Sequence, residues 1–290
     1  MTTLTFPGGA VHFGQGWPTL LINDQLRVLD QKETNVLEQL HAGNLDGLVT
    51  LARAGRDRGL DAADLLIQSP DLDEVELLPR LAVRVLREVG CPVSLDTRDP
   101  EALEATLQAI RPSKALINSI SAEPAVLNSL LPLAHKYRAA FVGMPIGQNA
   151  RLPMTGAERL AEAQVIVDAA TGLGIPKEDI VLDAVCLAAA AGPGTFEVTL
   201  ETLRAFHTVL ECTTLLGIGN AGFGMPEQTA IDLAYLLGAI PFGLDAALVD
   251  PNTAGLLESV RAMDFLTGKD PVGKRYLQHY RSRRASSPPA

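Results

Sequence analysis

Aromatic residues are scarce in this chain: eight Phe, four Tyr and one Trp, 4% of the 290 residues. That argues against a surface that binds nucleic acid by stacking bases on rings. Cations are also in deficit, with 24 Lys and Arg against 34 Asp and Glu and a formal net charge of −10. A phosphate backbone needs a cation at each contact, so nucleic-acid binding is not expected. The one basic cluster, Lys274, Arg275, Arg281, Arg283 and Arg284, is short and late in the chain, and reads as a solvated tail. Only three cysteines occur, Cys91, Cys186 and Cys212. They are far apart and odd in number, which offers neither zinc spacing nor a disulfide framework, so no metal site is expected and a reducing cytoplasm is the expected setting. No apolar run approaches the roughly 18 residues of a membrane span. Met1 to Pro18 show no basic stretch followed by an apolar one, so no signal peptide is expected.

What the chain has instead is aliphatic weight. It is 47% hydrophobic, carried by Leu, Val, Ile and Ala, which suits layered barrel interiors and helix–sheet packing. One rhythm dominates: a short apolar or β-branched run, a polar turn, then a longer stretch of helical period, the pattern of βα units on a parallel sheet. Eight units are expected. Their strands are Thr19–Asn23, Ala63–Ile67, Pro92–Asp96, Ala115–Asn118, Ala139–Met144, Ile180–Asp183, Thr214–Ile218 and Ala246–Val249. The helices between and after them fall at 32–58, 73–89, 99–110, 123–137, 155–173, 195–211, 226–240 and 252–267. Ala42-Gly43-Asn44 should break the first helix, since an interior glycine costs about 1 kcal/mol relative to alanine. Asp99-Pro100-Glu101 and Asp250-Pro251-Asn252 both look like an N-cap followed by proline in the first helical position. No glycine fingerprint follows the first strand, where Asn23 leads into Asp24-Gln25-Leu26. That disfavours an open dinucleotide-binding sheet and favours a closed (β/α)8 TIM barrel. The barrel is assigned to 18–270, an N-terminal arm to 1–17, and a C-terminal tail to 271–290 that ends in the disorder-prone Ser286-Ser287-Pro288-Pro289.

In such a barrel functional groups stand where strands end. Those positions read Asn23, Asp96, Asn118, Asp183 and Asn220, with Asp250 after the eighth strand. Carboxylates accept hydrogen bonds and amides both donate and accept. A ring of them without Lys, Arg or His suits a neutral heterocycle with many N–H donors, such as a pterin or purine edge, and does not suit a phosphate. The plainer reading is that Asp and Asn cap the helix that follows each strand. It is the better reading for Asp250, and the weaker one for Asp96, Asn118, Asp183 and Asn220 taken together. The five histidines lie on arms or helical stretches, and no Ser/His/Asp arrangement or metal-ligand cluster is evident. Gly217, Gly219 and Gly222 mimic a dinucleotide loop late in the chain. A lone match is weak, and these glycines read better as letting a flat ring approach the backbone.

Five segments carry a resemblance. They are Pro92-Val93-Ser94-Leu95-Asp96-Thr97, Leu116-Ile117-Asn118-Ser119, Ile180-Val181-Leu182-Asp183, Leu216-Gly217-Ile218-Gly219-Asn220, and the run from Gly243 to Pro251. From about Leu21 to Asp270 the chain resembles the pterin-binding methyltransferases, which act on methyltetrahydrofolate and a corrinoid protein and share the dihydropteroate-synthase-like barrel. The resemblance implies that Asp96, Asn118 and Asp183 hold the pterin ring, with Asn23 and Gly219 lining it. It implies that Asn220 is the catalytic residue, near N5. It also implies tetrahydrofolate or 5-methyltetrahydrofolate as substrate, a corrinoid (cobalamin) supplied by a partner protein, and a homodimer. Three departures stand out. Relatives carry Asp-Leu-Asn-Val where this chain has Asp64-Leu65-Leu66-Ile67. Their Gly-Glu-Arg-Ile-Asn start survives only as Ile22-Asn23. Polar residues that follow their catalytic amide are replaced by Gly222, Phe223 and Gly224. Dihydropteroate synthase is the sister alternative, with a non-catalytic pterin-binding subunit the other. The synthase would need basic residues near the seventh and eighth strands, and none occurs in 217–225 or 246–251.

Overall fold

A computed structural model describes residues 1–29, 34–147 and 150–286. Two short strands, β1 (Thr2–Phe6) and β2 (Gly9–Phe13), pair antiparallel as a hairpin. Eight parallel strands then close a barrel: β3 (Leu20–Leu29), β4 (Ala62–Gln68), β5 (Val93–Asp96), β6 (Leu116–Ser121), β7 (Ala140–Met144), β8 (Ile180–Asp183), β9 (Thr213–Gly217) and β10 (Ala246–Val249). β10 pairs with both β9 and β3, so no barrel edge is left open. The helices are α1 (Thr34–His41), α2 (Asp46–Asp57), α3 (Glu74–Arg84), α4 (Pro100–Ala109), α5 (Pro124–Tyr137), α6 (Gly156–Gly172), α7 (Thr195–Thr208), α8 (Gln228–Ala239), α9 (Leu256–Leu266) and α10 (Lys274–Ser286). The (β/α)8 TIM barrel expected from the periodicity is the observed fold.

Local chemistry accounts for the boundaries. Asp99 caps α4 by accepting from the Glu101 N–H at 2.9 Å, with Pro100 in the first turn. Thr155 and Glu158 form a reciprocal capping box at α6. The break at Ala42–Asn44 separates α1 from α2, with Gly43 in a left-handed turn at φ 69°. Asp250 caps nothing helical: it accepts from the Asn252 N–H at 2.8 Å in a local turn, and α9 starts later, with Gly255 before it.

Alternation along the strands divides the core in two. Leu20, Ile22, Ala62, Leu116, Ala140, Val142, Val181, Leu215, Ala246 and Leu248 fill the barrel, while Leu21, Ala63, Leu65, Ile117, Leu182 and Leu216 pack outward against the helices. The expected N-terminal arm belongs to the interior. Leu4 and Phe13 of the hairpin are fully buried in the inner cluster, each worth roughly 2 kcal/mol of burial. Thr2 Oγ1 donates to Glu178 O at 2.7 Å and Thr213 Oγ1 lies 2.9 Å away, which seats the hairpin as a stopper at the N-terminal end of the barrel. The expected tail contains α10, whose first turn is capped by Asp270 through the N–H groups of Lys274, Arg275 and Tyr276. Ser287 to Pro289 lie outside the described residues.

Candidate functional site

With the N-terminal end stoppered, the C-terminal rim is the open face. Inward positions follow the period of two, so the residue two beyond an interior residue also faces in. Ala62 thus brings Asp64 and Leu66 inward on β4, Leu116 brings Asn118 on β6, Val181 brings Asp183 on β8, and Leu215 brings Gly217 on β9. Asp96 is the register partner of Asn118, and Ser94 that of Asp64.

The arc from β4 to β6 is joined by direct contacts. Asn118 Nδ2 donates to Asp64 Oδ1 at 3.1 Å. Among the described residues the other Asp64 oxygen, Oδ2, is buried without a partner, as is Ser94 Oγ, which faces the same carboxyl. Burial, reinforced by the charge of Asp96, pushes the Asp64 carboxyl up to about 7. Burial also raises Asp96, opposed by Arg27 and Arg98. Arg27 Nη2 meets Asp96 Oδ2 at 3.2 Å across the rim.

Asp183 sits in a second cluster. Burial pushes it up to about 6, against the opposing pull of the Val185 N–H, which it accepts at 2.8 Å, and of Arg159. Val185 has φ 61°, a left-handed conformation that a β-branched residue adopts only when its surroundings impose it. The restraint is Arg159, fully buried: Nη1 donates to Ala184 O at 2.7 Å and Val185 O at 3.0 Å, and Nε to Pro153 O at 3.1 Å. Thr199 Oγ1 also donates to Val185 O, and Tyr235 hydroxyl donates to Thr199. Among the described residues Arg159 Nη2 has no partner.

Gly219 and Asn220 lie exposed on a short turn, Ile218–Asn220, directly after β9. A side chain at Gly217 would stand 3.7 Å from Asn220 Nδ2, and one at Gly219 would stand 3.5 Å from Asp24 Oδ2. The bare backbone at Gly217 therefore leaves room beside the Asn220 amide.

Asn23 requires a correction. It was expected to face the mouth, but it follows inward-facing Ile22 and points outward. Its Nδ2 donates to Leu51 O at 3.2 Å and its Oδ1 accepts from the Gln25 N–H at 3.1 Å. Gly55 of α2 presses on it so closely that a Cβ there would lie 2.3 Å from Asn23 Nδ2. Asn23 is a strand–helix tie. A second correction concerns charge. The strand-end positions hold no cation, yet Arg27 reaches Asp96 and Arg159 stands beside Asp183. Asp64, Arg27 and Arg159 were all missed. Asp64 lies within a strand rather than at its end, and Arg27 became a rim residue because β3 runs six residues past Asn23. Among the described residues no group of three or more His, Cys, Asp or Glu could hold a metal ion. Among them, too, no helix is long and apolar enough to cross a membrane.

Inward acceptors along one arc of a barrel rim can hold a flat ring rich in N–H groups. Residues 32–250 match the family described as pterin binding enzyme. This chain belongs to that family. The pterin binding enzyme is 25% identical over 213 residues to a methylcorrinoid:tetrahydrofolate methyltransferase of Eubacterium limosum, covering 72% of this chain and 77% of that one. Its fold is similar to that of a Yersinia pestis dihydropteroate synthase solved with a pterine-sulfa conjugate. The TM-score is 0.66 and the identity 17%, with 91% of this chain and 99% of the other covered. It is also similar to a Clostridium difficile dihydropteroate synthase solved in the presence of pteroic acid. There the TM-score is 0.64 and the identity 22%, with 88% and 98% covered. At those identities the likeness speaks for the barrel alone.

Proposed function

We propose that this chain moves a methyl group between N5 of tetrahydrofolate and the cobalt of a corrinoid carried by a separate protein. The observation that carries this reading is the inward arc of Asp96, Asn118 and Asp183 at the C-terminal rim, with the Asn220 amide beside bare Gly217. The two carboxylates and the amide accept from ring N–H groups. Asn220 stands near N5. A tertiary amine is a poor leaving group unless its nitrogen gains a proton or a strong hydrogen bond as the methyl departs, so an amide that tightens on N5 only at that moment lowers the barrier. The remaining contribution is orientation, since two reactants held in line need no further search. The corrinoid is a cosubstrate, and its partner protein would dock over the same rim. We further infer a homodimer working in the cytoplasm.

The relative of Eubacterium limosum supports methyl transfer, and the absence of Lys, Arg and His from 217–225 and 246–251 weighs against a dihydropteroate-synthase-like reaction. The test mixes purified chain with 5-methyltetrahydrofolate and cob(I)alamin and follows formation of the methylated corrinoid by its visible spectrum. Methylation that requires the chain is expected. Asn220→Ala should lower kcat by about 100-fold, some 2.7 kcal/mol, with less than about threefold change in KM. No methylation, combined with dihydropteroate formation from a pterin pyrophosphate and p-aminobenzoate, would replace this reading with the synthase. Tight pterin binding with neither reaction would make the chain a presenting subunit.

A further inference from the structure

Asp64 is the one carboxylate of the rim arc that sits a layer below the mouth, and no role for it follows from ring recognition alone. Its Oδ1 takes the Asn118 amide N–H at 3.1 Å. An amide group is planar, so committing Nδ2 downward turns Asn118 Oδ1 away from Asp64. Among the described residues nothing donates to that oxygen, and it is not among the buried atoms left without a partner. Beside it, Asp64 Oδ2 and Ser94 Oγ are buried and, among the described residues, left unpaired.

We propose that Asp64 is the positioning residue of the floor: by holding the Asn118 amide N–H it presents the Asn118 carbonyl oxygen to the ligand, and so selects rings that carry N–H at that point. This rests on the pterin reading of the rim. A tetrahydropterin ring carries N–H on its reduced pyrazine half, where the oxidised ring has only acceptor nitrogens. With the pyrazine half set against Asn118, Asp64 favours the reduced ligand over the oxidised one. The charged groups facing Asp64 are Asp96 on β5 and Arg27 on β3, with Arg98 beyond Asp96; Ser94 and Asn118 complete its surroundings as neutral partners. Burial and Asp96 hold the Asp64 proton to about pH 7, so the carboxyl changes state within the working range. Once protonated it can donate to Asn118 Oδ1 instead, which reverses the amide and offers the ligand a donor.

The experiment compares wild type, Asp64→Asn and Asp64→Leu. Asn keeps an acceptor for Asn118 but cannot titrate; Leu removes the acceptor. Binding of tetrahydrofolate and of folic acid is measured by calorimetry from about pH 6 to 8.5, alongside the Asn118 side-chain amide resonances of the ligand-free protein. Wild type should prefer tetrahydrofolate by about tenfold or more at the alkaline end, with a preference that shrinks as pH falls through about 7. Asp64→Asn should hold the preference at all pH values, and Asp64→Leu, if its melting temperature shows it folded, should lose most of it. The Asn118 amide resonances should titrate in wild type and stay fixed in Asp64→Asn. Fixed resonances in wild type, or full discrimination in folded Asp64→Leu, overturns the assignment. If wild type binds neither pterin, the functional reading fails, while the resonance titration still decides whether Asp64 orients Asn118. If Asp64→Leu does not fold, Asp64→Asn and the resonances decide.

Discussion

Replacing Arg159 with methionine tests whether the Asp183 loop is held by a buried clamp. The guanidinium donates to three carbonyls, at Pro153, Ala184 and Val185. A hydrogen bond from a charged donor is worth roughly 1.5–3 kcal/mol, and a buried carbonyl left unpaired costs about 1–3 kcal/mol. Part of this is returned, because removing the arginine also removes the desolvated charge and the unpartnered Nη2. A net loss of about 3 kcal/mol is a fair expectation. Unfolding entropy near 2.1 cal/mol/K per residue makes each kcal/mol worth about 2 °C in a chain of this size, so the melting temperature should drop by about 5 °C. The Asp183 carboxyl should also lose the charge that opposes its upward shift, so its midpoint should move above its present value of about 6. Calorimetry gives the first number, and the acid limb of the pterin-binding pH profile gives the second. Arg159→Lys should restore part of the pH effect, through its charge, but little of the stability, because lysine lacks the fork that reaches separate carbonyls. A melting temperature within about 1 °C of wild type, together with an unmoved acid limb, would refute the clamp.

Three further outcomes are expected. Gly55→Ala should destabilise by about 1–3 kcal/mol in urea titration, because its Cβ would displace Asn23 from its bond to Leu51 O; an unchanged midpoint would show that Asn23 has room to move. Asp183→Asn should weaken tetrahydrofolate binding by about 10- to 100-fold at pH 8 and abolish any loss of affinity centred near pH 6, since a charged acceptor is replaced by a neutral one; retention of that limb would assign it elsewhere. Asp64 binds its proton more tightly folded than unfolded, its pKa rising from 3.8 to about 7, so wild-type stability should fall as pH climbs from about 4 to about 7 and then level off. Asp64→Asn is neutral in both states, and should gain roughly 4 kcal/mol on wild type between pH 4 and 8; parallel stability curves would exclude Asp64 as the titrating group.

The barrel was legible because its signal is periodic and repeated. All eight strands were located, seven of them within three residues at each end and β3 running six residues past its expected end, and the break at Gly43 and the cap at Asp99 followed from local backbone chemistry. The site was legible only where a polar residue ended a strand. Asp96, Asn118 and Asp183 fell into that pattern and do face inward. Asn23 fell into it and does not, since facing depends on register and β3 continues through a slip between Asn23 and Leu26. Asp64 escaped because a carboxylate within a strand reads as an anomaly until its partner on β6 is known. Arg159 escaped because it lies on the helical face that buries into the loop above Asp183, a contact of 25 and 26 residues' separation that no local pattern encodes. The hairpin escaped because Leu4 and Phe13 find their neighbours only across the whole barrel.

The ion pair between Arg27 and Asp96 has a consequence for measurements of affinity. Its arginine is 44% exposed, so dissolved ions reach it. A ligand that claims both oxygens of Asp96 with its own N–H groups must displace the guanidinium from Oδ2, where it acts as a tethered competitor. Added sodium chloride weakens that incumbent more than it weakens a neutral ring, and a mild tightening of pterin binding with ionic strength, opposite to the trend of a charge-attracted ligand, is the signature it should leave.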